Sequence, residues 1–503
     1  MWTAVSNLDA CTVSLALLLG LISLVLYEIF RMNFSRAQYP PGPTPLPFVG
    51  TISGFWKNPM ESIKMIPNYG EMCTVFIGRK PTIILNTIQI TKEALVQNAS
   101  SFSGRPHVPI IEWVTDGELG GIFWSQFGHS WRQQRRFALH TLKNFGLGKK
   151  SMEERVLEEG QCLIAEMCKA KGAAFDPQHM IQNAVSNMIC SIVFGDRFEY
   201  NDKNFAYLLK IINENLMLIG SHTAQIFNLV PFIKHFPGPH QKIHQNAIKL
   251  KSFLMEAVEE HRKTLDPDNP RDYIDAYLLE MEKKQKSAED STFHEKNMVM
   301  SVSDLFLAGT DTTATTIRWG LIYLSQHPDV QERCHEEIVQ VLGYDRLPSM
   351  DDRDKLPYTY ATVHEIQRCA NIAPLVVHET TEPSKLRGYN IPKETQIFAN
   401  LTAILSDKDH WKHPDTFNPE NFLDDNKCFC KPESFLPFSL GPRVCPGETL
   451  AKTELFLFIT CLLQKLRFSW PPGAESPDMN GIFGITRSPQ PFNIICCSRG
   501  ANE

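Results

Sequence analysis

Residues 437–450 read PFSLGPRVCPGETL, and they place one cysteine between a glycine-rich turn and the start of an apolar helical stretch. A cysteine that ligates a metal does so as a thiolate, which needs backbone donors and nearby positive potential. Glycines let backbone N–H groups approach the sulfur of Cys445, and a helix starting near Glu448 offers it a positive dipole end. Phe438 is placed to exclude water, and Arg443 to meet an anionic group. The stretch therefore predicts a metal-binding thiolate.

A single cysteine narrows the kind of metal site. A tetrahedral zinc site needs four ligands, whereas one axial thiolate suits haem iron. The alternative for a lone cysteine is a buried structural thiol on a loop. The complete pattern F-x-x-G-x-R-x-C-x-G, rather than the cysteine alone, favours the haem thiolate. Its members are Phe438, Gly441, Arg443, Cys445 and Gly447.

Composition sets the class of protein. The chain has 503 residues, of which 43% are hydrophobic and 21% charged, a balance typical of globular proteins. The formal net charge of −6 gives no overall attraction to nucleic acid, so a nucleic-acid partner is not expected. The thirteen cysteines show no disulfide spacing, which indicates a reducing compartment.

The N-terminus predicts a membrane anchor. Residues 10–27 carry no charge, and as a helix they would span about 27 Å, enough for a hydrocarbon core. A cleaved signal peptide, the alternative, would have a basic start, but the basic residues Arg31 and Arg36 follow the apolar run. We expect an anchor at 1–30, a proline-rich linker at 31–50 and a catalytic domain at 51–503. The positive-inside rule places that domain in the cytosol.

Hydrophobic periodicity predicts a mainly α fold with minor β sheets. Residues 72–97 contain β-branched runs that indicate a small sheet, helical patterning dominates from about 125 to 370, and short strands return at 375–405. A single N-terminal transmembrane helix precedes this body.

A threonine-rich run marks a second chemical site. The stretch LAGTDTTATT, residues 307–316, lies in a helix predicted from Glu295 to Gln326. Threonines and glycine weaken a helix, so we expect it to open locally into a groove. Thr312 beside Asp311 would then pass protons through water to a bound small molecule. The alternative is threonines that bond back to their own helix.

With these motifs the chain resembles the cytochrome P450 family, haem-thiolate monooxygenases, and within it the animal microsomal family-2 type. The likeness extends from the anchor to the C-terminus and implies the P450 fold and haem b with Cys445 as the axial ligand. It also implies dioxygen activation with electrons from NADPH. The products would be hydroxylated or epoxidised lipophilic substrates, either polyunsaturated fatty acids or xenobiotics. The expected location is the endoplasmic reticulum membrane.

The resemblance also assigns individual residues. Glu365 and Arg368, three apart on a helix, would form a buried structural pair rather than an exposed ion pair. Asn421 in PENF stands where the family has arginine, which leaves the third partner of that pair in doubt. The residues expected to hold the haem propionates are Arg105, Trp131, Arg135, His378 and Arg443. The walls of the substrate pocket would be Val114, Phe123, Ala308, Leu375, Val376, Phe483 and Ile485.

Electrons must come from a partner, because no dinucleotide-binding or P-loop motif is evident. The resemblance implies NADPH–cytochrome reductase, with cytochrome b5 as a further donor, and a lipophilic substrate reached through membrane lipid. The alternative to a docking site is a solvated basic patch or phospholipid contact. The candidate docking residues are Arg132, Arg136, Lys143 and Lys431.

Two other functions remain open. A haem carrier or sensor would bind the same cofactor without turnover, and a haem-thiolate isomerase would rearrange a peroxide without electrons. Neither needs the acid–alcohol pair of Asp311 and Thr312, so the threonine run disfavours both.

Overall fold

The computed structural model describes residues 10–51, 58–117, 119–146, 148–286 and 291–500. Helices dominate these ranges, which confirms the predicted mainly α class. The α-helices are α1 (Ala10–Arg36), α2 (Pro59–Met65), α3 (Ile88–Lys92), α4 (Ala99–Phe102), α5 (Pro109–Val114), α6 (His129–Asn144), α7 (Lys150–Cys168), α8 (Gln178–Val193), α9 (Lys203–Ile219), α10 (His222–Leu229), α11 (Pro239–Thr264), α12 (Tyr273–Lys286), α13 (Glu295–Gln326), α14 (Pro328–Leu342), α15 (Pro357–Ala370), α16 (Leu401–Leu405) and α17 (Glu448–Lys465).

The strands form one four-stranded sheet and several strand pairs. They are β1 (Met72–Ile77), β2 (Lys80–Leu85), β3 (Leu375–Glu379), β4 (Ser384–Leu386), β5 (Tyr389–Ile391), β6 (Gln396–Asn400), β7 (Leu466–Ser469), β8 (Ile482–Phe483), β9 (Arg487–Ser488) and β10 (Ile495–Ser498). Short 3₁₀ helices cover Ile66–Tyr69, Pro231–His235, Met350–Lys355 and Pro419–Phe422, and a π-helix covers Glu93–Gln97.

The first of two compact units comprises the described residues up to Pro106 together with Leu375–Ala403. Its sheet has the order β1-β2-β6-β3, in which β2 and β6 run parallel and the other neighbours antiparallel. The buried Thr82 hydroxyl donates to Gln396 Oε1 at 2.9 Å across the parallel pair. Both predicted strand regions, 72–97 and 375–405, therefore meet in one sheet.

Helix α1 carries the predicted membrane span. Its segment Thr12–Arg36 is long and apolar enough to cross a membrane. The first nine residues of the predicted anchor lie outside the described residues. Because α1 continues to Arg36, the first part of the predicted linker at 31–50 is helical, and Arg36 Nη2 donates to Gly42 O at 2.8 Å. The division into anchor, linker and catalytic domain stays a prediction.

The second unit comprises the described residues of 107–374 and those from Ile404 onward. Helix α13 runs through it and packs against α8, α15 and α17. The bounds of α13 match the predicted Glu295–Gln326. Gly309 permits the close approach of α8, because a Cβ there would lie 2.7 Å from the Ile189 side chain. The middle of α13 is thus held inside the unit.

Candidate active site

The loop that carries Cys445 is folded by its own backbone. Cys445 N–H donates to Phe438 O at 3.1 Å, and Val444 N–H donates to Gly441 O at 3.1 Å. Gly441 has a φ of 79°, which favours glycine. Helix α17 begins at Glu448, three residues after the cysteine, as the sequence predicts. The thiol therefore lies beside the N-terminal end of a helix.

The surroundings of Cys445 both raise and lower the pKa of its thiol. Burial raises the pKa of its thiol above the usual range, while a hydrogen bond from the backbone of Gly447 and the charge of Arg135 lower it. Glu448 adds to the upward shift, and the net shift is upward. A protonated thiol at this place becomes a thiolate when a cation replaces the proton.

Trp131 and Arg443 form a packed pair next to this loop. The Arg443 guanidinium lies 4.2 Å from the ring centroid of Trp131, and both side chains are buried. Trp131 Nε1 donates to Ile122 O at 3.0 Å, and Arg443 Nη2 donates to Ser125 O at 2.7 Å. The two donors predicted for propionates are therefore together, and in this structure they bond to the backbone of residues 122–125.

Arg135 completes the donor set. It lies one helical turn beyond Trp131 on α6, 5.6 Å from the Trp131 ring, and donates to Val444 O. Burial lowers the pKa of its guanidinium, and the neighbouring Cys445 raises it. One thiol with two guanidinium groups and an indole N–H close by fits an iron macrocycle that carries two carboxylates.

The two other predicted propionate ligands lie in the first unit. Arg105 and His378 are both buried, and Arg105 Nη1 donates to Val377 O, the carbonyl that precedes His378 on β3. The structure therefore brings these two residues together within that unit.

The middle of α13 is open on one face, while the residues next to that face are mostly buried. Ala308 is exposed and Thr312 half-buried, whereas Thr310, Asp311 and Thr313 are buried. Residues four apart lie on one helix face, so Ala308 and Thr312 border the same open space. The small Ala308 side chain leaves room there for another molecule.

The predicted local opening of α13 is wrong for this structure. The helix is continuous through the threonine run from Glu295 to Gln326. Thr312 Oγ1 donates to Ala308 O at 2.8 Å, and Thr316 Oγ1 donates to Thr312 O at 2.9 Å. These bonds back to the helix satisfy the hydroxyl groups and keep the main chain helical. The open face comes from a small side chain rather than from a broken helix.

Asp311 is a buried acid held by hydroxyl groups. Its Oδ2 accepts from Thr486 Oγ1 at 2.7 Å, and its Oδ1 accepts from Thr315 Oγ1 at 3.4 Å. Burial raises the pKa of this carboxyl, and the two hydroxyl groups and Arg318 partly oppose the shift. A carboxyl with a raised pKa beside Thr312 is suited to exchanging protons.

The predicted pocket residues fall in both units. In the second unit Phe123 is 47% exposed and Ile485 41% exposed, although both are apolar. Phe123 N–H donates to Asp304 Oδ2 at 2.9 Å, which fixes it one turn before Ala308 on the open face of α13. Val114 packs against the buried cluster that contains Phe227. The remaining predicted residues are half-buried: Phe483 on β8, and Leu375 and Val376 on β3 of the first unit.

Glu365 and Arg368 form a buried pair on α15. Arg368 Nε donates to Glu365 Oε2 and its Nη2 to Glu365 Oε1, both at 2.7 Å. The two side chains are 0% and 4% exposed, so the alternative of an exposed ion pair is excluded. The guanidinium also donates to several backbone oxygens, namely those of Leu405, His413, Pro414 and Thr416.

Asn421 takes the place of a third partner in this network. Its Nδ2 donates to Glu365 Oε1 and to His413 O, both at 3.1 Å, and its Oδ1 accepts from His413 N–H at 2.8 Å. An amide thus joins Glu365 to the segment that Arg368 also holds. Asparagine in place of the family's arginine therefore still connects Glu365 to residues 413–421.

The predicted docking residues are exposed. Arg132, Arg136 and Lys143 share one face of α6, opposite the buried Trp131, and Lys431 is exposed on a loop. The Arg132 guanidinium lies 4.8 Å from the Phe127 ring.

Sequence reasoning missed two polar residues near α13. Thr486 lies in the turn whose residues 483 and 485 were assigned to the pocket, and its bond to Asp311 joins positions 175 residues apart. Glu454 on α17 accepts from Thr313 Oγ1 at 2.8 Å, and burial raises its pKa to about 8. Neither residue belongs to a local motif, so no pattern in the sequence signals these contacts.

The sequence is similar to one family of known proteins along most of its length. The family model described as cytochrome P450 matches residues 40–496. The chain is 44% identical to cytochrome P450 2B4 of Oryctolagus cuniculus over 97% of this chain and 99% of the relative. It is 44% identical to cytochrome P450 2J2 of Homo sapiens over 94% of each chain. It is 42% identical to cytochrome P450 2C23 of Rattus norvegicus over 97% of this chain and 99% of the relative.

Proposed function

Because the chain belongs to the cytochrome P450 family, we propose that it is a membrane-anchored monooxygenase that oxidises lipophilic substrates with electrons from NADPH. Family membership makes it a monooxygenase with haem b, whose iron takes an axial cysteine thiolate. When bound, thiolate-ligated haem supplies reductive activation of dioxygen, in which one oxygen atom enters the substrate and the other becomes water.

Cys445 is the residue we assign to the iron, and Trp131, Arg135 and Arg443 are those we assign to the propionates. Their support is the donor set itself: the thiol lies at the start of α17, and the guanidinium groups surround the indole of Trp131. Phe438 is half-buried in the same loop, and we assign its ring to excluding water from the sulfur. We assign Arg105 and His378 to the same cofactor from the resemblance.

The buried Asp311 carboxyl beside Thr312 is the observation that carries the proposal. Burial raises the pKa of the Asp311 carboxyl, which favours the uptake of a proton by this group. Thr312 faces the open side of α13 and passes the proton on. A haem carrier, a sensor or a peroxide isomerase would have no use for this pair.

The open face of α13 favours a lipophilic substrate. Ala308 lies on this face, and Phe123 and Ile485 are exposed apolar side chains of the same unit. An apolar pocket selects ligands with few polar groups. Polyunsaturated fatty acids and drug-like xenobiotics both meet this description. Leu375 and Val376 are further pocket residues by resemblance.

An exposed apolar segment supports our proposal that substrates reach the pocket from the lipid bilayer. The segment that follows α10 exposes Val230, Phe232 and Phe236 at 50%, 67% and 54%. Such a patch with Lys234 beside it is typical of segments that dip into a bilayer interface. Together with the apolar helix α1, it supports our proposal of an enzyme on the endoplasmic reticulum membrane with its catalytic domain in the cytosol.

Electrons enter from a separate reductase that binds the exposed basic face of α6; cytochrome b5 is a further donor. We expect Arg132→Glu with Arg136→Glu to slow haem reduction by NADPH–cytochrome reductase about tenfold at low ionic strength and less at high salt. Stopped-flow reduction at several salt concentrations measures this effect. Peroxide-driven turnover is the control: if it falls equally, the haem site was damaged, and if neither rate falls, the docking face lies elsewhere.

The decisive experiment uses the full-length protein in lipid vesicles with added reductase. We expect NADPH and oxygen consumption together with oxygenated products from a lipid extract, which a carrier, sensor or isomerase would not give. Cys445→His should keep some haem, lose the ferrous–carbon monoxide absorption of a thiolate ligand and stop turnover. Unchanged turnover in this variant would contradict the assignment of Cys445.

A further inference from the structure

The turn between β8 and β9 places a hydroxyl group on the buried acid of α13. The strands pair Phe483 with Arg487, so Gly484, Ile485 and Thr486 form the connecting loop. Thr486 Oγ1 donates to Asp311 Oδ2 at 2.7 Å, the shorter of the two hydrogen bonds to this carboxyl among the described residues. The pocket-lining turn is therefore also bonded to the proton-handling pair.

A second hydroxyl group continues this contact outward. Ser488 Oγ lies 3.5 Å from Thr486 Oγ1, and both residues are half-buried, whereas Asp311 is 8% exposed. A hydroxyl group both donates and accepts a hydrogen bond. The three side chains thus lead from the buried carboxyl to two half-buried hydroxyl groups nearer to solvent.

The neighbouring cation offers no such path. Arg318, two helical turns beyond Asp311, is buried, and its charge favours the ionised form of Asp311. A guanidinium does not give up its proton in a protein. The Thr486 and Ser488 hydroxyl groups, in contrast, are each able to give and to take a proton.

The turn does not need Thr486 to stay in place. Arg487 Nη1 donates to Met479 O, its Nε donates to Ala370 O, and its Nη2 donates to Cys369 O. Its own carbonyl accepts from Trp319 Nε1 at 2.9 Å, and its guanidinium lies 4.4 Å from the Trp319 ring. Arg487 therefore anchors the hairpin, so the Thr486 hydroxyl is available for another role.

We propose that Thr486 is a positioning residue that returns protons to Asp311 from solvent, with Ser488 as the outer hydroxyl group. In each turnover a proton leaves Asp311 Oδ2 towards Thr312, and another reaches Asp311 through Thr486 Oγ1 from Ser488 or water. Each hydroxyl group gives one proton and takes one, so the path is unchanged at the end. This inference rests on the proposed monooxygenase function.

The test uses the full-length enzyme with reductase in lipid vesicles and a substrate that the wild type oxidises. Thr486→Val removes the hydroxyl group at nearly equal volume, and Thr486→Ser keeps it. We expect Thr486→Val to lower product formed per NADPH about three- to tenfold, with the difference released as peroxide, since general acid–base groups contribute at least this much. The KM should stay within about twofold, and Thr486→Ser should recover most of the coupling.

Two controls separate proton supply from structure. Peroxide-driven turnover, which supplies oxygen already reduced and protonated, should be the same in Thr486→Val and the wild type. Thr264→Val, at the exposed end of α11 where the hydroxyl group bonds to Glu260 O at 3.0 Å, should leave coupling unchanged.

The outcomes distinguish this inference from the proposed function. Wild-type coupling in Thr486→Val would overturn the relay, and so would equal losses in Thr486→Val and Thr486→Ser. A raised KM with loss of peroxide-driven turnover would show that Thr486 only shapes the pocket. A wild type that forms no NADPH-dependent product would overturn the monooxygenase function and the relay with it.

Discussion

Two buried acids on helices of the second unit, Glu365 and Asp311, differ in the groups that hold their oxygens. Glu365 accepts from the Arg368 guanidinium, the Asn421 amide and the backbone N–H of Asn418. Asp311 accepts from two hydroxyl groups, at 2.7 and 3.4 Å. Charged and amide donors at short distance fix the position of a carboxylate, whereas Asp311, which hydroxyl groups hold, has a raised pKa and is suited to taking up a proton.

Burial alone therefore does not assign a role to either acid, since both are buried. The Glu365 network joins α15 to residues 413–421 and has the character of a structural brace. The Asp311 network reaches towards solvent through Thr486 and lies beside the open face of α13. Donor chemistry therefore separates the structural acid from the one suited to catalysis.

The largest effect is expected from breaking the Glu365 network, in which Arg368, Asn418 and Asn421 hold the carboxylate. Glu365→Leu leaves the buried Arg368 charge without its carboxylate, which costs about 3–5 kcal/mol of stability. We expect little folded protein with haem, measured by haem content and thermal unfolding. Asn421→Ala is the graded control, because it removes one amide from the same network and costs about 1 kcal/mol. Equal haem content in Glu365→Leu and the wild type would refute the structural role.

Glu454 is a third buried acid of the second unit, and it too is held by a hydroxyl group. Its one side-chain hydrogen bond among the described residues comes from Thr313. Burial raises its pKa from 4.5 to about 8. Since the folded chain binds this proton more tightly than the unfolded chain, stability should fall as the pH rises from about 4.5 to about 8 and then level off. The loss over this window is about 4–5 kcal/mol.

Glu454→Gln keeps the acceptor but does not titrate, so its stability should not show this decline. Urea unfolding of both holoenzymes between pH 5 and 9 measures the difference. Parallel stability curves for the two proteins would show that Glu454 is ionised in the folded state throughout.

The smallest of the three effects concerns Thr312 and leaves the fold intact. Thr312→Ala should bind haem and consume oxygen, but product formed per NADPH should fall about tenfold as peroxide is released, because proton delivery is disturbed. Thr316→Ala is the matched control, since it removes another hydroxyl group that bonds back to α13. Equal coupling in the two variants would mean that Thr312 serves the helix rather than the reaction.

Local patterns in the sequence were sufficient for several features. The helix Glu295–Gln326 ends before Pro328, where proline cannot continue the hydrogen-bond ladder, and the predicted and observed bounds agree. The start of α17 near Glu448 follows from the glycine-rich turn before it. The pair Glu365 and Arg368 is three residues apart on one helix, so its contact needs no long-range information.

The remaining features depend on which segments meet in space. The sequence alone indicated a weak helix at the threonine run, but packing against α8 and the back-bonded hydroxyl groups keep α13 continuous. It showed Asn421 as a departure from the family pattern, but only the fold brings its amide to Glu365.

Thr486 and Glu454 are the clearest cases of this dependence. They reach Asp311 and Thr313 across 175 and 141 residues, and no local motif records such a contact. The sequence by itself determined the helices, the sheet segments and the chemistry of the cysteine loop, because these follow from neighbouring residues. The tertiary structure decided which buried acid is held by charged and amide donors and which is held by hydroxyl groups that can exchange a proton, because donors from distant segments set the environment of each carboxyl.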